Sequence, residues 1–469
     1  MPPEWRLRLA PGVTVLDAGR TLVGGSPLRV LTLSERGAHL LQGWLAGQPV
    51  GDERSERDLA RRLLDAGLAD PDPPRGARST AEVTVVVPVY DDPERLANAL
   101  APVAKDATVI VVDDGSPDGT AIAVEADRFG ARYVRLNENR GPSAARNAGL
   151  ALATTPLVAF LDADCVPPPG FPDRLVDHLA DPAVALAAPR IATSARDAGA
   201  IAAYERSHSA LDMGSRPSAV RPYSAVWYVP SAAFVARRDA LGAGFDEQLS
   251  LGEDVDLAWR LHDAGWQLRY DPTIAVEHQA RVRPMAWYRR RVAYNESVAP
   301  LRKRHPERVP VLFLTPRAAL AWGAALAGRP GPLLALTALR AGALRRTLMG
   351  RVPGATAQAV KMGGEVTAHE GRDLARALAG PWAPFALGLL GATGERRRRA
   401  LASRLGALVI AMALGDWFAD RANLDPLRYA GLRLADESSR GLGIWIGCAR
   451  ERDLRSLLPR RPPPPSRRG

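Results

Sequence analysis

Between residues 83 and 188 the chain alternates short, nearly unbroken apolar runs with longer stretches whose apolar residues recur at helical spacing. The runs at 83–89, 108–113, 133–136, 157–162 and 184–188 predict strands. The intervals at about 93–104, 117–129, 141–153 and 170–180 predict helices. Strands that are apolar on both faces must be covered on both, so this order predicts a mostly parallel α/β sheet with helices on each side. A mixed pattern follows, with 227–237, 266–270 and 274–277 extended and 253–264 helical. An Arg-rich helix at about 284–304 closes a domain expected over 81–305.

Before that domain stands a unit of its own, residues 1–75. Short strands at 13–16, 22–23 and 28–33 are broken by Gly24, Gly25, Ser26 and Pro27. Ser34 is placed to cap a helix whose apolar face is Leu40, Leu41, Trp44 and Leu45. Ser55, with Asp58 three residues on, is placed to cap a second helix that ends at Gly67. Strands followed by two short helices predict a small winged-helix-like module, either a cap on the next domain or a substrate-recognition unit. A linker rich in Pro, Gly and Arg, residues 70–80, follows.

Residues 309–458 are rich in Ala, Leu, Gly and Pro and predict a helical region. The apolar stretches 318–328 and 405–415 are too short to span a bilayer alone, and the uncharged stretch 377–394 contains Pro381 and Pro384. Beside them lie Arg396, Arg397, Arg398 and Arg399, so peripheral contact with an anionic membrane surface is an open expectation. The Pro-rich tail, 459–469, predicts disorder.

Composition narrows the classes. At 469 residues two or three domains are expected, and 46% apolar residues is a globular share. The formal charge of +11 comes almost wholly from Arg, with Lys only at 105, 303 and 361. Such an excess suits nucleotide phosphates or anionic lipid, and no nucleic-acid-binding motif accompanies it. Cys165 and Cys448 alone exclude a disulfide framework and a thiolate zinc site. No secretory apolar segment opens the chain, so the cytoplasm, or the inner face of its membrane, is the expected place.

The chemistry gathers at strand ends. The run 158–161 closes on Asp162-Ala163-Asp164, and in open α/β sheets ligands bind beyond the carboxyl ends of strands. Residues two apart on an extended segment point the same way, so Asp162 and Asp164 are expected to face one ligand together. Two carboxylates that close repel unless a divalent cation such as Mg²⁺ or Mn²⁺ lies between them. Pro88, Val89 and Tyr90 end the first strand, and Asp113, Asp114, Gly115 and Ser116 the second, where a nucleotide base can stack and accept or donate hydrogen bonds. No G-x-G-x-x-G follows either strand, which disfavours a dinucleotide-binding domain. Gly141 and Pro142 open a helix with Arg146 one turn in, a combination suited to a diphosphate. Arg146 can equally pair with a nearby Asp. Glu253 and Asp254 begin the helix at 253–264, and the positive end of that helix is expected to keep Asp254 deprotonated as a base.

These motifs, in this order and spacing, resemble those of family 2 glycosyltransferases with the GT-A fold: Pro88-Val89-Tyr90, Asp113-Asp114-Gly115-Ser116, Gly141 through Asn147, Asp162-Ala163-Asp164, Gly244-Phe245-Asp246-Glu247 and Gly252-Glu253-Asp254. The resemblance implies an inverting transfer of a sugar from a nucleotide diphosphate. It implies that Pro88, Tyr90, Asp113, Asp114, Arg146 and Asp162 bind the nucleotide sugar, with Asp113 on the base and Arg146 on the diphosphate. Asp162, Asp164 and His278 would hold the metal, and Asp254 would be the general base. Trp227, Tyr228 and Glu253 are the acceptor-side candidates. Trp287-Tyr288-Arg289-Arg290-Arg291 stands where processive members carry Gln-x-x-Arg-Trp, which leaves processivity open.

Over its wider length, including Leu22 through Arg29, Tyr228 through Ala233 and Ala299-Pro300-Leu301, the chain resembles the mycofactocin-system subfamily. That implies UDP-glucose as donor and a peptide-derived redox carrier as acceptor, and residues 1–75 faintly resemble small peptide-chaperone domains of such pathways. Two rivals are weighed: a membrane enzyme building a lipid-linked envelope glycan, and a non-catalytic sugar-nucleotide-binding scaffold.

Overall fold

Seven consecutive buried residues, Val83–Val89, form the strand around which the main sheet is laid. It runs parallel to Thr108–Asp113 on one side and to Leu157–Leu161 on the other. Alternation along the strand sorts its side chains into two layers. Val83, Val85, Val87 and Val89 pack in one core with Leu157, Ala159 and Leu161, while Val86 joins Ile110, Val158 and Phe160 in the other. Helices Pro93–Leu100, Gly119–Arg128 and Pro142–Leu152 cross between these strands. The computed structural model describes residues 1–26, 28–104, 107–194, 198–279, 282–309, 311–350, 354–420 and 423–461. The tail expected to be disordered lies outside the described residues from 462 onward.

The sheet has nine strands and is mixed beyond its parallel centre. Ala233–Arg237 runs antiparallel to both Leu157–Leu161 and Val184–Thr193, and Val184–Thr193 runs parallel to Gln267–His278. Two expected strands, 266–270 and 274–277, are one strand of twelve residues, Gln267–His278. Its partner's register slips between Pro189 and Arg190, opposite Asp271 and Ala275, so the irregularity at Pro272 is a bulge and the strand continues past it. Of the expected extended stretch 227–237 only Ala233–Arg237 is a strand; before it, residues 221–226 close a turn in which the Arg221 amide donates to the Val226 carbonyl.

The winged-helix-like module precedes the sheet. Thr14–Leu16, Thr21–Gly24 and Arg29–Thr32 form a three-stranded antiparallel sheet, and Arg6–Leu9 pairs with Ala69–Asp72. That second pair was not expected, since Pro71 and Pro73 read as linker. Pro71 stands opposite Leu7 in this two-stranded pair, and a strand with a neighbour on one side only can carry a residue that lacks an N–H. Ser34 caps helix Glu35–Leu45, its hydroxyl accepting from the Gly37 amide at 3.1 Å. The second helix, Arg54–Ala66, begins one residue before Ser55; Glu53 is its cap, and the Glu53 amide donates to Glu56 at 3.2 Å. A separate core of Leu7, Leu22, Leu41, Trp44, Leu63 and Leu68 holds the module together.

The chain parts into two compact units, Met1–Asp197 with His208–Ala280, and Ala198–Ser207 with Arg281–Arg467. In the second, the expected Arg-rich helix is two, Pro284–Glu296 and Val298–Arg304, and long helices follow, including Ala355–Ala379, Glu395–Asp420 and Pro426–Glu451. Its core holds Leu312, Leu374, Ile444 and Cys448 beside buried ion pairs such as Arg433 with Glu437 at 2.7 Å. The apolar stretch 405–415 is a part of the helix Glu395–Asp420, which by length and composition can cross a membrane.

Candidate active site

The order of strands reverses between Val83–Val89 and Leu157–Leu161: successive strands lie to one side of Val83–Val89, and Leu157–Leu161 lies to the other. Such a switch point opens a crevice at the strands' carboxyl ends. Tyr90 leaves the first strand there, 48% exposed, and Asp162 leaves the second.

Asp162 and Asp164 lie just past the strand rather than within it. The strand ends at Leu161, and the Cys165 amide bonds the Asp162 carbonyl at 3.0 Å, closing a tight turn. The side chains are therefore sent to different partners. Asp162 accepts from Arg146 Nη2 at 2.5 Å, while Asp164 Oδ2 lies 3.5 Å from His278 Nε2. His278 is brought there by the pairing of Cys165 with His278 in the sheet, and the Gln279 amide bonds the Asp164 carbonyl at 3.3 Å. Hard carboxylate oxygens beside an imidazole suit Mn²⁺ or Mg²⁺ in chemistry, and both side chains are partly open to solvent. Among the described residues no three such groups are already drawn together as a closed metal cage.

Arg146 is buried, its side chain 3% exposed, and Nη1 meets Glu253 Oε1 at 3.2 Å while Nη2 holds Asp162. A diphosphate could reach this guanidinium only by displacing a carboxylate. Its cation also stacks over Phe245, 5.3 Å from the ring centroid, and its Nε is buried without a hydrogen-bond partner among the described residues. Burial raises the pKa of Asp162, against the pull of the Arg146 guanidinium.

Glu253 and Asp254, adjacent in sequence, have different surroundings. Glu253 is buried and accepts from both Arg146 and the Ser231 hydroxyl, the latter at 3.1 Å. Asp254 is half-buried; its Oδ1 accepts from the Val255 amide at 2.8 Å and its Oδ2 from the Ser231 amide at 3.4 Å. The expectation that the helix end keeps Asp254 fully ionised is corrected here. Burial, and after it the Glu253 carboxylate, push Asp254 up to about 7, and the amide bonds at the helix start recover only part of that.

The two carboxylates at the end of the strand Thr108–Asp113, Asp113 and Asp114, shape loops. Asp113 is fully buried, accepting from the Ser116 amide and the Tyr133 hydroxyl, both at 2.8 Å. Asp114 accepts from the Arg140 and Gly141 amides, each at 2.8 Å, tying this loop to the start of helix Pro142–Leu152. Pro88 is buried in the strand just before Tyr90. Trp227 is 42% exposed, its ring 4.4 Å from that of Tyr228 and 5.8 Å from that of Trp259. Trp259 lies on the helix that Asp254 begins and donates from Nε1 to the Trp227 carbonyl at 2.8 Å.

Sequence reasoning missed Ser231, whose amide and hydroxyl join the strand-side loop to both acidic residues. It also missed the pairing of Asn147 with Phe245, in which the Asn147 side chain donates to the Phe245 carbonyl at 2.9 Å and accepts from its amide at 2.8 Å. Both lay inside motifs already noted, and neither carries a charge to draw attention.

Residues 84–243 match the family model described as Glycosyl transferase family 2. The chain is 38% identical, over 98% of its own length and 98% of the relative's, to the pre-mycofactocin glycosyltransferase of Mycobacterium tuberculosis. Over 42% of its length it is 29% identical to the glycosyltransferase AglE of Haloferax volcanii, 67% of which is covered. Among solved structures it is similar to a mannosyltransferase from Pyrobaculum calidifontis in complex with GDP-Man and Mn²⁺, with 18% identity, a TM-score of 0.43, and 77% of this chain and 89% of that one covered.

Proposed function

The chain belongs to glycosyl transferase family 2 and is a glycosyltransferase; on that premise we propose that it moves glucose from UDP-glucose to a peptide-derived redox carrier, pre-mycofactocin, with inversion at the anomeric carbon. The observation that carries the chemistry is the division of labour between neighbours: Arg146 and the Ser231 hydroxyl engage the buried Glu253, while Asp254, less buried, is held by backbone amides alone among the hydrogen bonds of the described residues. The likeness to the M. tuberculosis protein along nearly the whole chain supports the acceptor.

The acceptor hydroxyl gives its proton to Asp254 as its oxygen bonds the anomeric carbon. The bond from that carbon to the diphosphate oxygen breaks on the opposite face, and UDP leaves with the electron pair. A single displacement of this kind inverts the centre, turning an α-linked donor into a β-linked product. A carboxylate with its pKa near 7 suits a base at neutral pH. Arg146 keeps Asp162 and Glu253 in register, so the donor side and the acceptor side share one buried cation. Asp164 and His278, with Asp162, would hold a divalent ion, which supplies positive charge for the leaving diphosphate. The base of the donor would lie against Tyr90 in the pocket shaped by Pro88, Asp113 and Asp114, and Trp227 with Tyr228 would offer a ring face to the acceptor.

The second unit supports contact with an anionic membrane surface. Phe385, Leu387, Ile410 and Phe418 are exposed by 57%, 68%, 58% and 80%, and Arg396, Arg397, Arg398 and Arg399 lie exposed at the start of the helix Glu395–Asp420. This brings the enzyme to the membrane face without making the membrane its substrate.

Incubating the purified chain with UDP-glucose, Mn²⁺ and pre-mycofactocin tests the reading by mass spectrometry. A gain of one or more hexose units, β-linked by NMR, is the expected result. Transfer to a lipid carrier, with none to pre-mycofactocin, would replace it with the envelope-glycan reading, and donor binding with no transfer at all with the scaffold.

A further inference from the structure

The loop that bears Trp227 and Tyr228 is held from outside the catalytic sheet. Arg221, six residues before Trp227, sends Nη2 to the Ser26 carbonyl at 2.7 Å and Nη1 to the Asp65 carbonyl. The Ala225 amide donates to the Ser26 hydroxyl at 2.8 Å. Asp65 is in the last turn of helix Arg54–Ala66, where unbonded carbonyls concentrate negative potential, so the guanidinium sits as a cation at a helix C-terminus. Arg221 Nε is buried with no hydrogen-bond partner among the described residues, and burial lowers the pKa of the group to about 10. A strongly desolvated cation is retained here by two backbone carbonyls of the N-terminal module.

The socket is built for close approach. Gly24 has φ +152°, and a Cβ there would lie 2.7 Å from Val13 Cα. At Gly25, φ +83°, it would meet the Ala66 and Gly67 carbonyl oxygens at 3.0 Å, and at Gly67, φ +67°, Arg221 Nη2 at 2.8 Å. Gly24 and Gly25 thus let the turn pack tightly within its own module, while Gly67 and Ser26 meet the Arg221 loop. Helix Arg54–Ala66 is itself fastened to the catalytic core, with Arg61 on Asp181 at 2.6 Å and the Gln267 side chain donating to Asp65 at 2.6 Å. From Val226 the chain runs on to Ser231, which bonds both Glu253 and Asp254.

We propose that Ser26 and Arg221 are positioning residues through which the N-terminal module sets where Trp227 and Tyr228 stand relative to Asp254, and so controls acceptor binding. This rests on the reading of Trp227 and Tyr228 as the acceptor side. The module then acts in transfer as a fixed support of the acceptor loop, whatever else it touches.

The test uses the full chain with UDP-glucose and pre-mycofactocin, following acceptor KM, kcat, and UDP release without acceptor. Ser26→Ala removes one hydroxyl and Arg221→Ala the guanidinium, with Arg221→Lys as the conservative rescue and Trp227→Ala as the reference for the loop. Expected is a rise in acceptor KM of roughly three- to tenfold in Ser26→Ala and Arg221→Ala. Acceptor-free UDP release should stay within about twofold, and Arg221→Lys should recover part of the loss. If Trp227→Ala raises acceptor KM while folded Ser26→Ala and Arg221→Ala do not, the positioning role is overturned and the acceptor loop stands. If Trp227→Ala itself changes nothing, the acceptor-side reading falls and the proposal with it. A parallel fall of acceptor KM effects and UDP release into one general loss overturns it too. Should Arg221→Ala fail to fold, Ser26→Ala decides alone.

Discussion

Arg146 meets Glu253 at 3.2 Å, and that bond gives two adjacent carboxylates different work. Glu253 is tied into a buried bridge that ends on Asp162, while Asp254, one residue on, accepts from the Ser231 and Val255 amides. Neighbouring acids on a helix start are interchangeable as caps; here a guanidinium 107 residues away in the chain tells them apart.

Asp254→Asn keeps the shape and the amide bonds but cannot take a proton. Turnover is expected to fall by about 10²–10⁴-fold with UDP affinity nearly unchanged, measured by steady-state kinetics and calorimetry. Glu253→Gln should lose less turnover and more stability, since it leaves the Arg146 cation with a neutral partner. Full turnover in a folded Asp254→Asn protein would move the base to another residue.

The pH dependence follows from the raised Asp254 pKa. The base must be ionised, so kcat/KM should rise with pH and level off above about 7. The same shift makes a stability statement. An acid whose folded pKa lies above its unfolded value favours the folded state when protonated, and that contribution is lost as pH rises from about 4 through 7. Asp254→Asn should therefore melt above the native protein at pH 8 and show no such advantage at pH 4. Calorimetric scans at the two pH values check it.

UDP binding is expected to weaken when the divalent ion is removed. Asp162, Asp164 and a diphosphate bring several negative charges to one corner, and the nearest buried cation, Arg146, is already engaged. Titration calorimetry with Mn²⁺ and with EDTA, on the native chain and on Asp164→Asn, measures this. Equal affinity in EDTA would remove the ion from donor binding.

Arg61→Ala tests how the N-terminal module is fastened. Asp181 is 1% exposed, and losing the 2.6 Å partner leaves a buried acceptor short of a donor, at a cost of about 1–3 kcal/mol in denaturant unfolding. The same reasoning warns that deleting residues 1–75 would uncover this site, so single substitutions at the junction are the sharper probe.

Membrane contact is checked by flotation with anionic liposomes. Each basic residue near an anionic surface contributes about 1 kcal/mol, so replacing Arg396, Arg397, Arg398 and Arg399 by Gln should abolish flotation at low salt. High salt should weaken flotation of the native chain as well. An unchanged Gln variant would leave the exposed apolar helices as the sole cause.

Much of this protein was legible in the linear chain because the information is local. A run such as Val83–Val89, apolar but for Thr84, reads as a strand covered on both faces, so the sheet, its helices and the strand-end carboxylates follow from periodicity and motif order. The tertiary structure decided what depends on residues distant in sequence. It turned Asp162 to Arg146 and Asp164 to His278, buried Asp113 and Arg146, raised the Asp254 pKa against the helix end, and bonded Ser26 to the loop that precedes Trp227. Each of these is a matter of desolvation or of which partner lies within hydrogen-bond reach. Neither quantity exists until the chain has folded.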